Sequence, residues 1–300
     1  MAEISANLIK ELREKTGAGV LDCKKALTET NGDLEKAVEN LRKSGAAKAD
    51  KKSGRITAEG RVALKIAPNE AVAVEVNCET DFVAKTDEFQ NFVDQLAEHI
   101  LKTKPENVEA LLQADYQGKT LKEVVQGLVA KTGENITVRR LTRVHVGASE
   151  KVGSYIHMGN KIGVLVRAKG SDKLTEAALR DVAMHVAAAN PQYLNRDSIP
   201  AAAIEKEKEI YREQMKDLNK PAPMLEKIIE GKIAKFADEV CLIHQAYVKD
   251  PTGKQTVADY LKTIDPSATV LEFIRYQVGE GIQKKEDNFA AEVAKTLQSN

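Results

Sequence analysis

Gly118-Lys119-Thr120 comes nearest in this 300-residue chain to a phosphate loop, in which backbone amides cradle phosphates, a lysine reaches them and a hydroxyl ligates Mg²⁺. That signature needs a glycine five residues earlier and a strand before it. Gln113 occupies the glycine position, and the surrounding residues read as helix. Gly253-Lys254 falls short in the same way, with Val248 at the glycine position and Gln255 in place of Ser or Thr. Gly279 and Gly281 begin a GxG, but Lys284 takes the third glycine position of a dinucleotide fingerprint. The five histidines, His99, His145, His157, His185 and His244, form no HExxH pair and no Cys/His metal spacing. Cys23, Cys78 and Cys241 are odd in number and far apart, which suits free thiols in a reducing compartment. The expectation is a protein that is not an enzyme and has no cofactor and no metal site of its own.

The elements that would position any working residue follow from periodicity. Ser5 caps a helix carrying Leu8, Ile9 and Leu12, which ends near Gly17 and Gly19. A second short helix runs from about Val20 to Asn31-Gly32. Asp33 caps a third, with Leu34, Ala37, Val38 and Leu41 on one face and Gly45 at its close. These three helices resemble a ubiquitin-associated domain, and residues 46–55, polar and lysine-rich, read as an exposed linker.

The period then changes to two. Val62, Leu64 and Ile66, then Val72, Val74 and Val76, alternate around Pro68-Asn69-Glu70 as a hairpin, followed by a helix carrying Phe89, Phe92, Val93, Leu96 and Ile100. Strand, turn, strand and helix recur around Met158-Gly159-Asn160, with Leu179, Val182, Ala183 and Val186 on the helix. Further strands are expected at 137–146 and 270–278, and helical sequence from Val108 to Lys131 between the halves. Two amphipathic stripes, Ile204 to Leu218 and Leu225 to Ile243, flank the helix-breaking Pro221-Ala222-Pro223 and read as an antiparallel coiled-coil hairpin ending at Asp250-Pro251-Thr252-Gly253.

The fold class is therefore α+β. The expected order is a three-helix ubiquitin-associated-like domain and linker (1–54) and a first core subdomain (55–148). A similar second core subdomain follows (149–203, completed by 265–282), with a coiled-coil insertion (204–250) and a C-terminal helical module (283–300). Composition bounds the partners. Lys plus Arg equals Asp plus Glu at 45 each, so no overall field favours nucleic acid or an anionic membrane. No apolar run reaches a membrane span and the N-terminus does not read as a signal peptide, so the expected location is the cytosol and the expected partner a protein.

Two stretches carry a specific resemblance. Residues Leu12 to Leu27 (LREKTGAGVLDCKKAL) and Glu75 to Lys85 (EVNCETDFVAK) resemble the two signatures of the elongation factor Ts family, and the order of parts is similar throughout. The resemblance implies a guanine-nucleotide exchange factor for elongation factor Tu, bound in its GDP and nucleotide-free forms. It implies that Thr80, Asp81, Phe82 and Val83 form the working edge, with Phe82 as a wedge that dislocates the partner's Mg²⁺. By the same resemblance Leu12, Arg13, Thr16, Gly17 and Gly19, with the module around Phe289, contact the same partner domain, while His157 and the neighbourhood of His185 meet another. A one-to-one complex and a pair of such complexes remain open, as does retention on the aminoacyl-tRNA complex until GTP hydrolysis on the ribosome. A ubiquitin-associated-type adaptor, binding through its N-terminal helices, is the alternative, and it accounts for only the first 45 residues.

Overall fold

The structure, a computed structural model, describes residues 4–216 and 221–283. Its contacts divide the chain into two compact units. Met1–Arg61, Val74–Leu141 and Val278–Asn300 form one, and Val62–Ala73 with Thr142–Gln277 the other. The architecture is mixed α+β, with small antiparallel sheets among its helices. Among the described residues no helix is long and apolar enough to cross a membrane.

The first unit opens with α1 (Ala6–Thr16), α2 (Val20–Glu29) and α3 (Leu34–Lys52). Three of their boundaries have a local cause. Ser5 Oγ accepts from Leu8 N at 3.2 Å, Asp33 Oδ1 accepts from Lys36 N at 3.1 Å, and Gly17 closes α1 with a left-handed φ of 68° that other residues adopt only with strain. Leu12, Cys23, Ala26, Leu27 and Ala37 form the shared core.

α3 corrects the expected linker at 46–55. The helix runs through Gly45 and the lysine-rich stretch to Lys52, because Gly45 and Ala49 are buried and α3 packs against a helix from later in the chain, α7 (Leu121–Thr132). A Cβ at Gly45 would lie 3.6 Å from that of Ala130, so small residues let the two backbones approach. Tertiary contact outweighs the intrinsic cost of a mid-helix glycine, about 1 kcal/mol.

Strands β1 (Glu59–Ala67) and β2 (Glu70–Cys78) form the expected hairpin, and with β5 (Ile136–His145) make a sheet of order β1-β2-β5; each strand contributes residues to both units. Central β2 is buried from end to end, which explains its apolar run. Two helices follow it, the single-turn α4 (Asp81–Ala84) and α5 (Asp87–Thr103), which buries Phe89, Phe92, Val93, Leu96 and Ile100.

The stretch from Val108 to Lys131 is not one helix. α6 (Val108–Gln113) stops at a two-residue hairpin, β3 (Asp115–Tyr116) and β4 (Lys119–Thr120), whose turn residues Gln117 and Gly118 have φ of 57° and 83°. Thr120 and Glu123 then form a capping box that starts α7.

In the second unit, β6 (Glu150–Ile156), β7 (Ile162–Lys169) and β8 (Thr269–Gln277) form a sheet of order β6-β7-β8, again with the last strand beside the second. α8 (Glu176–Ala189) packs on this sheet through Leu179, Val182, Ala183 and Val186, close enough that a Cβ at Gly153 would meet the Leu179 backbone at 2.4 Å. α9 (Ala201–Gln214) and α10 (Ala222–Val240) contact one another, with Ile229 and Ala237 of α10 buried. α10 ends at Val240, so Ile243 lies in a following 3₁₀ turn rather than on the helix, and Asp250 is not its terminus. α11 (Val257–Ile264) is an element additional to those expected, started by a capping box of Thr256 and Asp259.

Candidate functional site

The site begins where β2 leaves the sheet. Cys78 is the last buried residue, and Thr80 turns the chain into α4 with its own extended backbone, φ −122° and ψ 156°. Thr80 Oγ1 accepts from Val83 N at 3.4 Å and so caps the turn. The same hydroxyl donates to Glu134 Oε1 at 2.5 Å, and Thr80 N donates to Glu134 Oε2 at 3.0 Å. Glu79, next to it, is held by Asn135 N at 2.6 Å and by Arg55 Nη1 at 3.3 Å. Asn135 is buried and donates its side-chain amide to the carbonyl oxygens of Ser53 and Arg55.

Against this fixed base, Phe82 is 79% exposed. Full burial of a phenylalanine is worth about 1.5 to 3 kcal/mol, so a ring left in water at the tip of a braced turn is held there by its surroundings rather than by its own preference. Asp81 forms an ion pair with Lys85 at 2.6 Å, one turn on, and that partnership raises the Lys85 ammonium above its ordinary range. Val83 is half-buried and Ala84 buried, so the four-residue turn presents its aromatic outward and anchors its far side.

The other expected residues divide between surface and core. Leu12 is wholly buried in the helical core, whereas Arg13 and Gly17 are exposed. Thr16 braces the corner, donating to Leu12 O at 2.6 Å and accepting from Ala18 N at 3.3 Å; Gly19 is exposed and caps α2. Beside them Val20 is 50% and Leu21 83% exposed, two apolar residues that sequence reasoning passed over. The signal was present, since Leu21 falls outside the stripe of Cys23, Ala26 and Leu27.

His157, in the second unit, is exposed at the turn after β6, with Nδ1 3.2 Å from the Tyr155 hydroxyl. His185 is buried and presents no surface to a partner. Its Nδ1 accepts from Val248 N at 3.1 Å and its Nε2 donates to Gln245 Oε1 at 3.0 Å, which defines the neutral ring. Phe289 and the rest of residues 284–300 lie outside the described residues.

Burial lowers the His185 pKa below its ordinary 6.5, against a smaller opposing effect of the Gln245 hydrogen bond. As pH falls below 6.5 the unfolded chain takes up a proton that the folded chain refuses. The contribution to stability is therefore full above 6.5 and declines as pH falls from there towards the lowered folded value. Melting temperature is expected to drop between about pH 7 and pH 5, and His185→Gln to flatten that part of the profile; a profile unchanged by the substitution would remove the assignment.

The groups considered for chemistry are placed otherwise. Lys119 precedes the N-terminus of α7 but is paired with Tyr116 in the tight β3–β4 hairpin, and with Gln113 at the first glycine position no glycine-rich loop leads up to it. All three cysteines are free and buried, and burial pushes the thiols of Cys23 and Cys241 up, away from the nucleophilic thiolate.

Exposed aromatics held on a fixed turn are a residue type that protein contact surfaces use. A model of the family described as Elongation factor TS matches residues 79–280, more than half of the chain, starting at the glutamate that precedes the Thr80 cap. The chain belongs to the elongation factor Ts family. That membership gives it a role in translation elongation, with elongation factor Tu as its partner.

Proposed function

We propose that this protein is a guanine-nucleotide exchange factor that binds the GDP complex of elongation factor Tu, disturbs its Mg²⁺ and phosphate site, and releases GDP so that GTP can bind. The observation that carries this reading is Phe82, 79% exposed on a turn braced from behind. On docking, the ring enters the partner's nucleotide-binding domain while Asp81 presses on the backbone beside it. Mg²⁺ holds a near-octahedral shell at about 2.1 Å and tolerates little distortion, so a small displacement of the groups around it loosens the diphosphate.

Exposed Arg13, Gly17 and Gly19, with Val20 and Leu21, extend the contact on the N-terminal helices, and His157 supplies a second contact from the other unit. The helices α9 and α10 form a coiled-coil hairpin whose stripe is its own seam. The protein acts in the cytosol without covalent chemistry of its own, in a one-to-one complex or a pair of such complexes.

Exchange by this route is reciprocal. If the factor weakens nucleotide binding by about 10⁴-fold, about 5.5 kcal/mol, nucleotide weakens the factor's binding equally. Direction then comes from the excess of GTP and from capture of the GTP form by aminoacyl-tRNA. Calorimetric titration into nucleotide-free and GDP-saturated Tu tests this, with much tighter binding expected to the nucleotide-free form. Equal affinities for the two forms would contradict it.

A further inference from the structure

We infer that Glu134 is a positioning residue for exchange: its carboxylate fixes the Thr80 cap of α4, and through that cap the stance of Phe82. The inference rests on the exchange reading above. α4 has only four residues, and a single turn carries the unfavourable cost of helix nucleation without the propagation that offsets it. Its shape must come from outside. Thr80 Oγ1 caps Val83 N at 3.4 Å, a long bond that depends on how the hydroxyl is turned. The hydroxyl has one proton, and giving it to Glu134 Oε1 at 2.5 Å leaves a lone pair for the Val83 amide. Glu134 Oε2 meanwhile takes the Thr80 N–H at 3.0 Å. One carboxylate thus holds the backbone and the side chain of the capping residue, from the end of the turn where the helix dipole favours an anion.

Glu134 is itself fixed on both sides. Gly133 before it ends α7 in a left-handed conformation, φ 78°, and Asn135 after it is tied to Glu79 and to the carbonyl oxygens of Ser53 and Arg55. A chain of short contacts therefore runs from the end of α3 through this corner to the base of the turn.

The consequence for exchange is specific. A ring on a loose turn yields when pressed against the partner, whereas a ring on a fixed turn moves the partner. Loss of the clamp therefore lowers the rate of GDP release at saturation more than it weakens association, a division that a residue of merely structural importance would not produce. Glu134→Ala is expected to lower the saturating release rate about tenfold, equivalent to about 1.4 kcal/mol, and to change the half-saturating concentration less than about twofold.

The test is release of a fluorescent GDP analogue from Tu as a function of factor concentration. The full chain is compared with Glu134→Ala, Glu134→Gln, Thr80→Val, the Thr80→Val/Glu134→Ala pair and Phe82→Ala. Glutamine keeps one acceptor oxygen and should recover part of the rate, and the double variant should be no slower than its slower parent. Wild-type saturating rates for Glu134→Ala and Thr80→Val, with Phe82→Ala slow, would overturn the positioning role and leave the exchange reading standing. Wild-type rates for all three, Phe82→Ala included, would bring down the wedge reading itself. If Glu134→Ala does not fold, by its circular dichroism, Glu134→Gln and Thr80→Val decide by the same division of rate from affinity.

Discussion

Phe82→Ala is expected to slow factor-stimulated GDP release by about 30-fold to 10³-fold, the range of about 2 to 4 kcal/mol typical of a central aromatic in a protein interface. The same substitution should leave the melting transition nearly unchanged, within about 0.5 kcal/mol, because a ring 79% exposed gives up little packing when it is removed. Phe89, seven residues on and 1% exposed, supplies the contrast. Phe89→Ala should cost about 3 to 5 kcal/mol of stability, and lose exchange only in proportion to the protein that unfolds. Kinetics and melting curves recorded on both variants separate a contact residue from a core residue. Wild-type release by folded Phe82→Ala would remove the wedge.

Gly60→Ala is expected to be the most damaging of the small substitutions. Gly60 has φ 145°, a conformation that side chains rarely adopt, and an added Cβ would lie 2.2 Å from Val76 O and 2.7 Å from the Cα of Asn77. Neither atom belongs to a flexible side chain, so strand β2 itself must move. Overpacking and backbone strain together should cost about 3 kcal/mol or more. The displaced residues stand only a few positions before Thr80, so exchange should fail along with stability. Gly54→Ala, where a Cβ meets nothing within 4 Å, is the control and should melt close to the parent. Equal melting temperatures for the two variants would contradict the close approach of β1 to β2.

Local signals made the helix starts legible. Ser5 and Asp33 cap where their side chains suggest, and the stripe of Phe89 to Ile100 is buried as its spacing requires. What the sequence concealed is what tertiary contact decides. Gly45 and the lysines after it carry the composition of a helix end and a linker, yet the helix continues because α7 lies against it, a contact between residues some 85 positions apart such as Gly45 and Ala130. The turn at Gln117-Gly118 was lost for the opposite reason, since two left-handed residues suffice to break an otherwise helical run.

The candidate site divides similarly. Residues 80–83 stood out through their motif, a contiguous stretch whose resemblance to a family could be read directly. Glu134, which holds them, is 54 positions away and belongs to none of the quoted stretches. Leu12 and His185 proved to be buried, Leu12 in the shared core of the N-terminal helices and His185 between its hydrogen bonds to Gln245 and Val248. Leu21 was the reverse case, an apolar residue whose exposure its place outside the stripe of Cys23, Ala26 and Leu27 already signalled.

Whether this chain drives GDP from elongation factor Tu is decided by stopped-flow release of a fluorescent GDP analogue from purified Tu, in Mg²⁺ and excess unlabelled nucleotide. Release is expected to accelerate with the concentration of this protein and to saturate; release at the spontaneous rate at every concentration of the folded protein would mean that it is not an exchange factor for Tu.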